Sequence, residues 1–414
     1  MSASLVGSGV ELDVGPVAHG GHCVTRWDGR VVFVRHALPG ERVRVEVTEG
    51  EQDSGFLRAD AVEVLRAAPG RVERPCPWAG PGRCGGCDWQ HADAATQGAL
   101  LADVVAEQMS RLAGLDVEVV VEPVGDGLLD WRTRMGWAVD RRGRAGLRRH
   151  RSHDVVPVDD CRIAHPDLPP VAAGTWQGEH VEAVVGSTGD RLLVLDGPPA
   201  RGTVAPDVGI VGADGHSVRG RAAVRERVRH RTFRVSGPGF WQVHPRAAET
   251  LVDAVLAAAA PQPGQRVWDL YAGVGLFTAF LAEAVGADGE VVAVEGDASA
   301  LRDARRNVHD LPQARIRSGR VERVLREAVG AGERATTVVL DPPRVGARAG
   351  VVRSIAALAT ERVVYVACDP AALARDVATF AVAGWRLADL RAFALFPMTH
   401  HVECVALLTR ATAT

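Results

Sequence analysis

Lysine is absent from the 414-residue chain: all 48 of its Lys or Arg side chains are arginine. That uniformity reads as genome composition, yet it puts each positive charge on a planar, bidentate group suited to phosphates and bases. No apolar run approaches the ~18 residues of a membrane span, which excludes a helical membrane protein. The first residues lack the basic-then-apolar pattern of an export signal, so a cytoplasmic protein is expected. Cysteine is scarce, at seven, and an odd number argues against a disulfide framework and toward metal binding or catalysis. There is also little net charge, 48 basic against 51 acidic residues giving −3. Averaged over the chain this speaks against a nucleic-acid partner, but the segments differ in sign. What is present, 47% hydrophobic residues, is ample for two or three packed domains.

Residues 1 to 66 read as a small all-β module. Val10 to Val14, Arg30 to Val34, Glu41 to Val47 and Ala59 to Leu65 alternate or run apolar between Gly-Pro and Gly-Gly breaks, and about five short strands suggest an OB-like barrel. Residues 67 to 235 form a β-rich central unit. It opens with Cys76, Cys84 and Cys87 around Gly85-Gly86, a chelating loop one ligand short of a tetrahedral or cubane site. Cys161 is the best-placed fourth thiol, and the spacing alone does not choose between zinc and an iron–sulfur cluster. Ala92 to Leu115 reads as an amphipathic helix. From Trp131 to Arg151 the chain holds Arg132, Arg134, Arg141, Arg142, Arg144, Arg148, Arg149 and Arg151, interleaved with Trp131 and Trp137. Asp140 is the only acid there, and this excess of positive charge is the footprint of a phosphate backbone.

From residue 236 to 414 strands alternate with helices, the pattern of a Rossmann-like α/β domain. Arg266 to Leu270 runs into a turn holding Tyr271, Gly273 and Gly275, and a strand about 20 residues on ends in Glu295. Backbone approaching a nucleotide-like ligand, with a carboxylate for the ribose, fits that arrangement. Thr278 stands where a dinucleotide site wants its third glycine, so S-adenosylmethionine is the better fit. Val338 to Leu340 ends in Asp341-Pro342-Pro343-Arg344. Arg344 replaces the aromatic residue that amino-group methyltransferases place there. Val363 to Ala367 ends in Cys368-Asp369-Pro370, a thiol at a strand's carboxyl end beside a helix N-terminus. The helix dipole there should lower the thiol pKa. The alternative is a buried structural cysteine.

Cys368-Asp369-Pro370, Asp341-Pro342-Pro343-Arg344, Phe240-Trp241-Gln242-Val243 and His400-His401-Val402-Glu403 together resemble the RNA 5-methyluridine methyltransferases. The resemblance is to their branch with an N-terminal TRAM barrel and an iron–sulfur cluster, and it spans nearly the whole chain. It implies a class I methyltransferase domain behind a TRAM barrel and a central domain carrying a metal-cluster loop. It implies that Cys76, Cys84, Cys87 and Cys161 hold a [4Fe–4S] cluster, and that Gln242, Tyr271, Glu295 and Asp341 surround S-adenosylmethionine. Cys368 would be the nucleophile that adds to carbon 6 of uracil, and Glu403 the base that removes the carbon-5 proton. The substrate is expected to be RNA, 23S ribosomal rather than transfer RNA, with the target base flipped into the pocket of a monomeric enzyme. Asp369 departs from the usual Ser-Cys-Asn-Pro, and a carboxylate facing the thiol would oppose its ionisation. Two other classes stay open: an RNA-binding homologue with impaired catalysis, and a zinc-stabilised methyltransferase of proteins or small molecules.

Overall fold

The computed structural model describes residues 3–198 and 204–411. The N-terminal strands Gly9–Asp13, Cys23–Trp27, Arg30–Arg35, Arg42–Glu49 and Phe56–Arg66 form one sheet, with Phe56–Arg66 central between Arg42–Glu49 and Arg30–Arg35. Arg42–Glu49 alternates strictly between exposed arginine or glutamate and buried valine over its first six residues. That alternation buries Val43, Val45 and Val47, the first two meeting Leu12, Val34 and Leu57. The sheet curls until its two edges meet, the Gly15 N–H donating to the Val24 carbonyl at 3.0 Å and the Val24 N–H to that of Pro16 at 2.8 Å. The expected barrel is present.

The central unit is a seven-stranded sheet in the order Ser217–Arg219, Gly209–Gly212, Arg191–Leu195, His180–Val185, Arg134–Val139, Ala145–Arg148, Val155–Pro157. Its core gathers Met135, Trp137, Val181 and Leu193, with Cys84 at the margin.

The third sheet has eight strands. Ala314–Ser318, Glu290–Glu295, Arg266–Leu270, Ala335–Leu340 and Ala359–Ala367 lie parallel in that order, followed by Glu403–Arg410, Trp385–Ala394 and Val121–Pro123. Glu403–Arg410 runs antiparallel to both neighbours. Val363 to Ala367 are at most 4% exposed, as a strand covered on both faces requires. The chain moves outward from Arg266–Leu270 on one side and returns to Ala335–Leu340 on the other. The order therefore reverses between those two strands, and a crevice opens at their carboxyl ends. Two apolar cores flank the sheet. The helix Ala94–Gln108, capped by Asp93 and continued by a π-helical turn over Met109–Ala113, packs into one of them. The strand Val121–Pro123 pairs with Trp385–Ala394, so part of the middle of the chain completes the catalytic layer. Among the described residues no helix is long and apolar enough to cross a membrane.

Candidate active site and cysteine cavity

Register builds the rim of the site. Ala367 pairs with Cys404 across the antiparallel ladder, which brings Cys368, one residue on, beside Glu403, one residue back. Leu340 pairs with Leu270 on one side and Tyr365 on the other, so Asp341 emerges between the glycine turn and the thiol strand. The loop after Asp341 is pinned by Asp376, whose Oδ2 accepts from the Ala347 N–H and the Tyr365 hydroxyl, both at 2.7 Å. Gly346 is required there, because a Cβ would lie 2.7 Å from that same oxygen at φ +79°. This holds Arg344 where its Nη2 donates to His401 Nε2 at 3.3 Å.

The electrostatics of the rim correct one expectation. Burial, then the carboxyls of Glu403 and Asp341, push the Cys368 thiol up to about 11, with only Arg344 opposing. Burial of the thiol, and after it the carboxyl groups of Glu403, Asp341 and Asp369, set this direction against the expected effect of the helix turn. The carboxyls are displaced too. Burial raises Asp341 to about 7, helped by Asp269. Burial and then Asp341 raise Glu403 well above the carboxylate range, against Arg344. Asp369 lies on the thiol side but is held low, despite burial, by hydrogen bonds from His19 and the Ala372 N–H.

The glycine turn forms beside this rim. Tyr271, Gly273 and Gly275 all have positive φ, at 61°, 55° and 88°. A Cβ on Gly273 would meet nothing within 4 Å, so the turn presents an open backbone face. Glu295 Oε2 accepts from the Gly273 N–H at 2.8 Å, and its Oε1 from the N–H groups of Gly296 and Asp297 at 2.6 and 2.7 Å. Thr278, in place of a glycine, donates to buried Asp269 at 2.5 Å, while the other Asp269 oxygen has no partner among the described residues. Gln242 is 8% exposed beside Phe240, which is 73% exposed. Its loop is tied to the central unit where the Thr133 N–H and hydroxyl donate to the Val243 carbonyl at 2.8 and 2.9 Å.

Cys76, Cys84, Cys87 and Cys161 line a single cavity of about 170 Å³, together with Trp78, Gln90 and Arg132. The Gly86 N–H reaches Cys84 Sγ and Gln90 Nε2 reaches Cys87 Sγ, each at 3.4 Å. Burial raises the Cys84 and Cys87 thiols, and lifts Cys161 to about 11. Among the described residues no three His, Cys, Asp or Glu side chains stand close enough to hold one metal ion.

The arginine-rich segment divides. Arg134 is buried, donating to the Gly237 carbonyl and lying 3.3 Å from Glu182. Trp131 and Trp137 are interior, at 3% and 6% exposure, so the expected interleaving of aromatics with surface charge is absent. Arg141, Arg142, Arg144, Arg148, Arg149 and Arg151 do lie exposed, in the turns at the two ends of the strand Ala145–Arg148 and at its last residue. Arg149 and Arg151 line a cleft of about 550 Å³ shared with Arg35, Arg58 and Arg83.

One network has no local sequence signal. His400 Nδ1 lies 2.6 Å from Asp88 Oδ2, and the Asp88 and Trp89 N–H groups donate to the Met398 carbonyl at 2.9 and 3.0 Å. The His400 and His401 rings lie 4.1 Å apart, tilted by 47°. The cysteine loop thus buttresses the segment that leads into Glu403. The paired groups are 312 residues apart in the chain.

Comparison with known proteins completes the picture. The TRAM domain family matches residues 3–62, and the tRNA (uracil-5-)-methyltransferase family residues 217–411. An uncharacterized RNA methyltransferase of Streptomyces avermitilis is 49% identical over 97% of this chain and 98% of its own length. Another from Bifidobacterium longum is 40% identical over 97% and 96%. The structure of Pyrococcus abyssi tRNA (uracil-54, C5)-methyltransferase with S-adenosyl-L-homocysteine covers 97% of this chain and all of its own. It has a TM-score of 0.74 at 22% identity, a likeness of fold. With its barrel, its switch-point crevice and these relatives, the chain belongs to the S-adenosylmethionine-dependent RNA methyltransferases, joining a TRAM domain to a segment that matches the tRNA (uracil-5-)-methyltransferase family.

Proposed function

We propose that the protein methylates carbon 5 of a uridine in RNA through a covalent bond between Cys368 and carbon 6, with 23S ribosomal RNA as host. The observation behind this reading is the convergence of Cys368, Asp341, Arg344 and Glu403 on one rim. Carbon 5 of uracil is too weak a nucleophile unaided, and thiolate addition at carbon 6 turns it into the end of an enolate. S-adenosylmethionine supplies the electrophilic methyl group when bound, and the open face at Gly273 with the Glu295 carboxylate fits it. Tyr271, Gly275, Gln242 and Asp341 would complete that site. Glu403, once it has ionised with help from Arg344 against its burial, takes the carbon-5 proton, and the electron pair left behind expels the Cys368 thiolate. Asp341, raised to about 7 by burial, can donate a hydrogen bond in its protonated form as well as accept one.

The cysteine cavity fits a [4Fe–4S] cluster: four thiols around one void would offer one thiolate to each iron. Bound there, a cluster would supply four iron–thiolate bonds tying the loop to Cys161. The residues themselves pass that rigidity on through Asp88 to His400. The exposed arginines around the strand Ala145–Arg148 and the cleft beside the barrel would take phosphates.

Mapping 5-methyluridine in RNA from a deletion strain tests the reading. Loss of one modified uridine in 23S RNA, restored by the parent gene and not by Cys368→Ala, is the expected result. Loss from transfer RNA alone moves the host, and no loss in either overturns the activity.

A further inference from the structure

The TRAM barrel reaches into the catalytic rim. His19, in the loop between the barrel's first two strands, places Nε2 3.1 Å from Asp369 Oδ2, across 350 residues of chain. The other oxygen of Asp369 accepts from the Ala372 N–H at 2.7 Å and so caps the helix Pro370–Val382. Two residues beyond His19, Gly21 lies so close that a Cβ would sit 2.7 Å from the His400 Cβ, and its carbonyl accepts from Trp89 Nε1 at 3.2 Å. One short loop therefore touches both the residue after the nucleophile and the segment leading to Glu403. Its backbone needs glycine there, since Gly21 has φ +79° and no room for a side chain.

The pairing answers a physical difficulty. Asp369 serves well as a helix cap, but a carboxylate beside Cys368 disfavours the thiolate. We infer that His19 is a positioning residue for the nucleophile: it fixes the Asp369 carboxylate as helix cap and offsets its charge, so that the Cys368 thiolate can form beside it. The inference rests on Cys368 being the nucleophile proposed above. It makes the barrel a part of the active site as well as an RNA-binding module.

The charges facing each partner define when this operates. His19 faces Asp369, Arg375 and Glu107, and the hydrogen bond to Asp369 raises it above its ordinary value although burial opposes this. Asp369 faces His19 and Arg375 and is lowered. The thiol faces Glu403, Asp341, Arg344 and Asp369. A raised histidine holds its proton below its folded pKa and loses it as pH rises through that value; a lowered carboxylate is ionised above its own. The pair is thus fully charged from acid pH to near neutrality and fades on the alkaline side.

The test is the rate at which iodoacetamide alkylates Cys368 in the full-length protein, followed by peptide mass mapping from pH 6.5 to 9. His19→Ala should slow alkylation about three- to tenfold at pH 6.5, equal to a half to one pKa unit, with the deficit vanishing toward pH 9. Asp369→Asn should remove the dependence, so that adding His19→Ala to it changes nothing at any pH. His19→Gln keeps a donor without the charge, and should behave as His19→Ala does. Identical profiles for parent and His19→Ala overturn the inference, as does a deficit that persists at pH 9 or in the Asp369→Asn background. Full reactivity in His19→Gln overturns the charge argument. Alkylation reads the thiol directly, so a protein that shows this dependence but forms no 5-methyluridine would sink the proposed function and leave His19 in its role.

Discussion

The molecule holds two sets of thiols in opposite surroundings. Cys76, Cys84, Cys87 and Cys161 face one another across a cavity, with N–H donors from Gly86 and Gln90 aimed at sulfur. Cys368 is the one half-buried thiol at its strand end, next to the fully buried Cys404, with Glu403 and Asp341 as its largest charged neighbours. Burial raises the pKa of Cys84, Cys87 and Cys161 in the first place and of Cys368 in the second. Only the first place offers several converging thiols and donors, which is what a metal cluster would exploit. The second offers acid and base groups around a single sulfur, which suits reversible addition to a base. A cysteine is assigned by its neighbours and not by its own burial.

Separating the two sets should produce the largest effect. Cys368→Ala should lower methylation by about 10⁴-fold or more while the anaerobically purified protein keeps about four irons per chain. Cys161→Ser should do the reverse to the metal, losing iron. One zinc per chain in the parent would break the comparison on the cluster side. The pH dependence comes next. With the thiol at about 11 and Glu403 raised well above the carboxylate range, kcat/KM should climb near neutral pH by about tenfold per unit for each of the two groups still to lose its proton. A flat profile from pH 7 to 9 would mean the thiolate is already formed.

The parts of this site that the chain displays openly are those whose chemistry is local. Asp341, Cys368 and Glu295 each end an apolar run, and strand ends at a switch point are where such groups gather. The glycine turn announces itself in the same way. The parts that stayed hidden depend on pairings across hundreds of residues. Asp369 looks like a liability until His19 is found beside it, and nothing near His400 in the chain points to Asp88. The direction of the Cys368 shift was hidden for the same reason. Its helix is visible in the sequence, but the burial and the carboxyls of Glu403 and Asp341 that set the direction come with other strands. Trp131, Trp137 and Arg134 show a related limit, since composition marks a basic stretch without telling which residues a sheet will bury.

Smaller effects sharpen the contrast further. Asp341 carries a folded pKa raised to about 7, so its charged form is disfavoured in the fold and destabilises it increasingly as pH rises above the unfolded value. Asp341→Asn should therefore raise the Tm of the ligand-free protein at pH 8 by ~2 °C or more, and less at pH 5, while weakening cofactor binding. A lower Tm at pH 8 would contradict this view of the buried carboxyls. Replacing Arg148 and Arg149 with Ala should touch neither thiol set. It should reduce the log–log salt dependence of RNA binding by about one for each phosphate no longer neutralised, measured as Kd against salt, with cofactor affinity unchanged.

The central claim is that Cys368 acts before methyl transfer and Glu403 after it, and Glu403→Gln examines this most directly. The substitution keeps the side-chain volume, the nucleophile and the cofactor site, and removes only the base. Addition and methylation should proceed, while carbon 5 keeps both its methyl group and its proton. A denaturation-resistant protein–RNA band should then accumulate, with Cys368 joined to an already methylated uracil, and none should form with Cys368→Ala. Normal turnover by Glu403→Gln, or a band that survives in Cys368→Ala, would contradict the assignment of both residues.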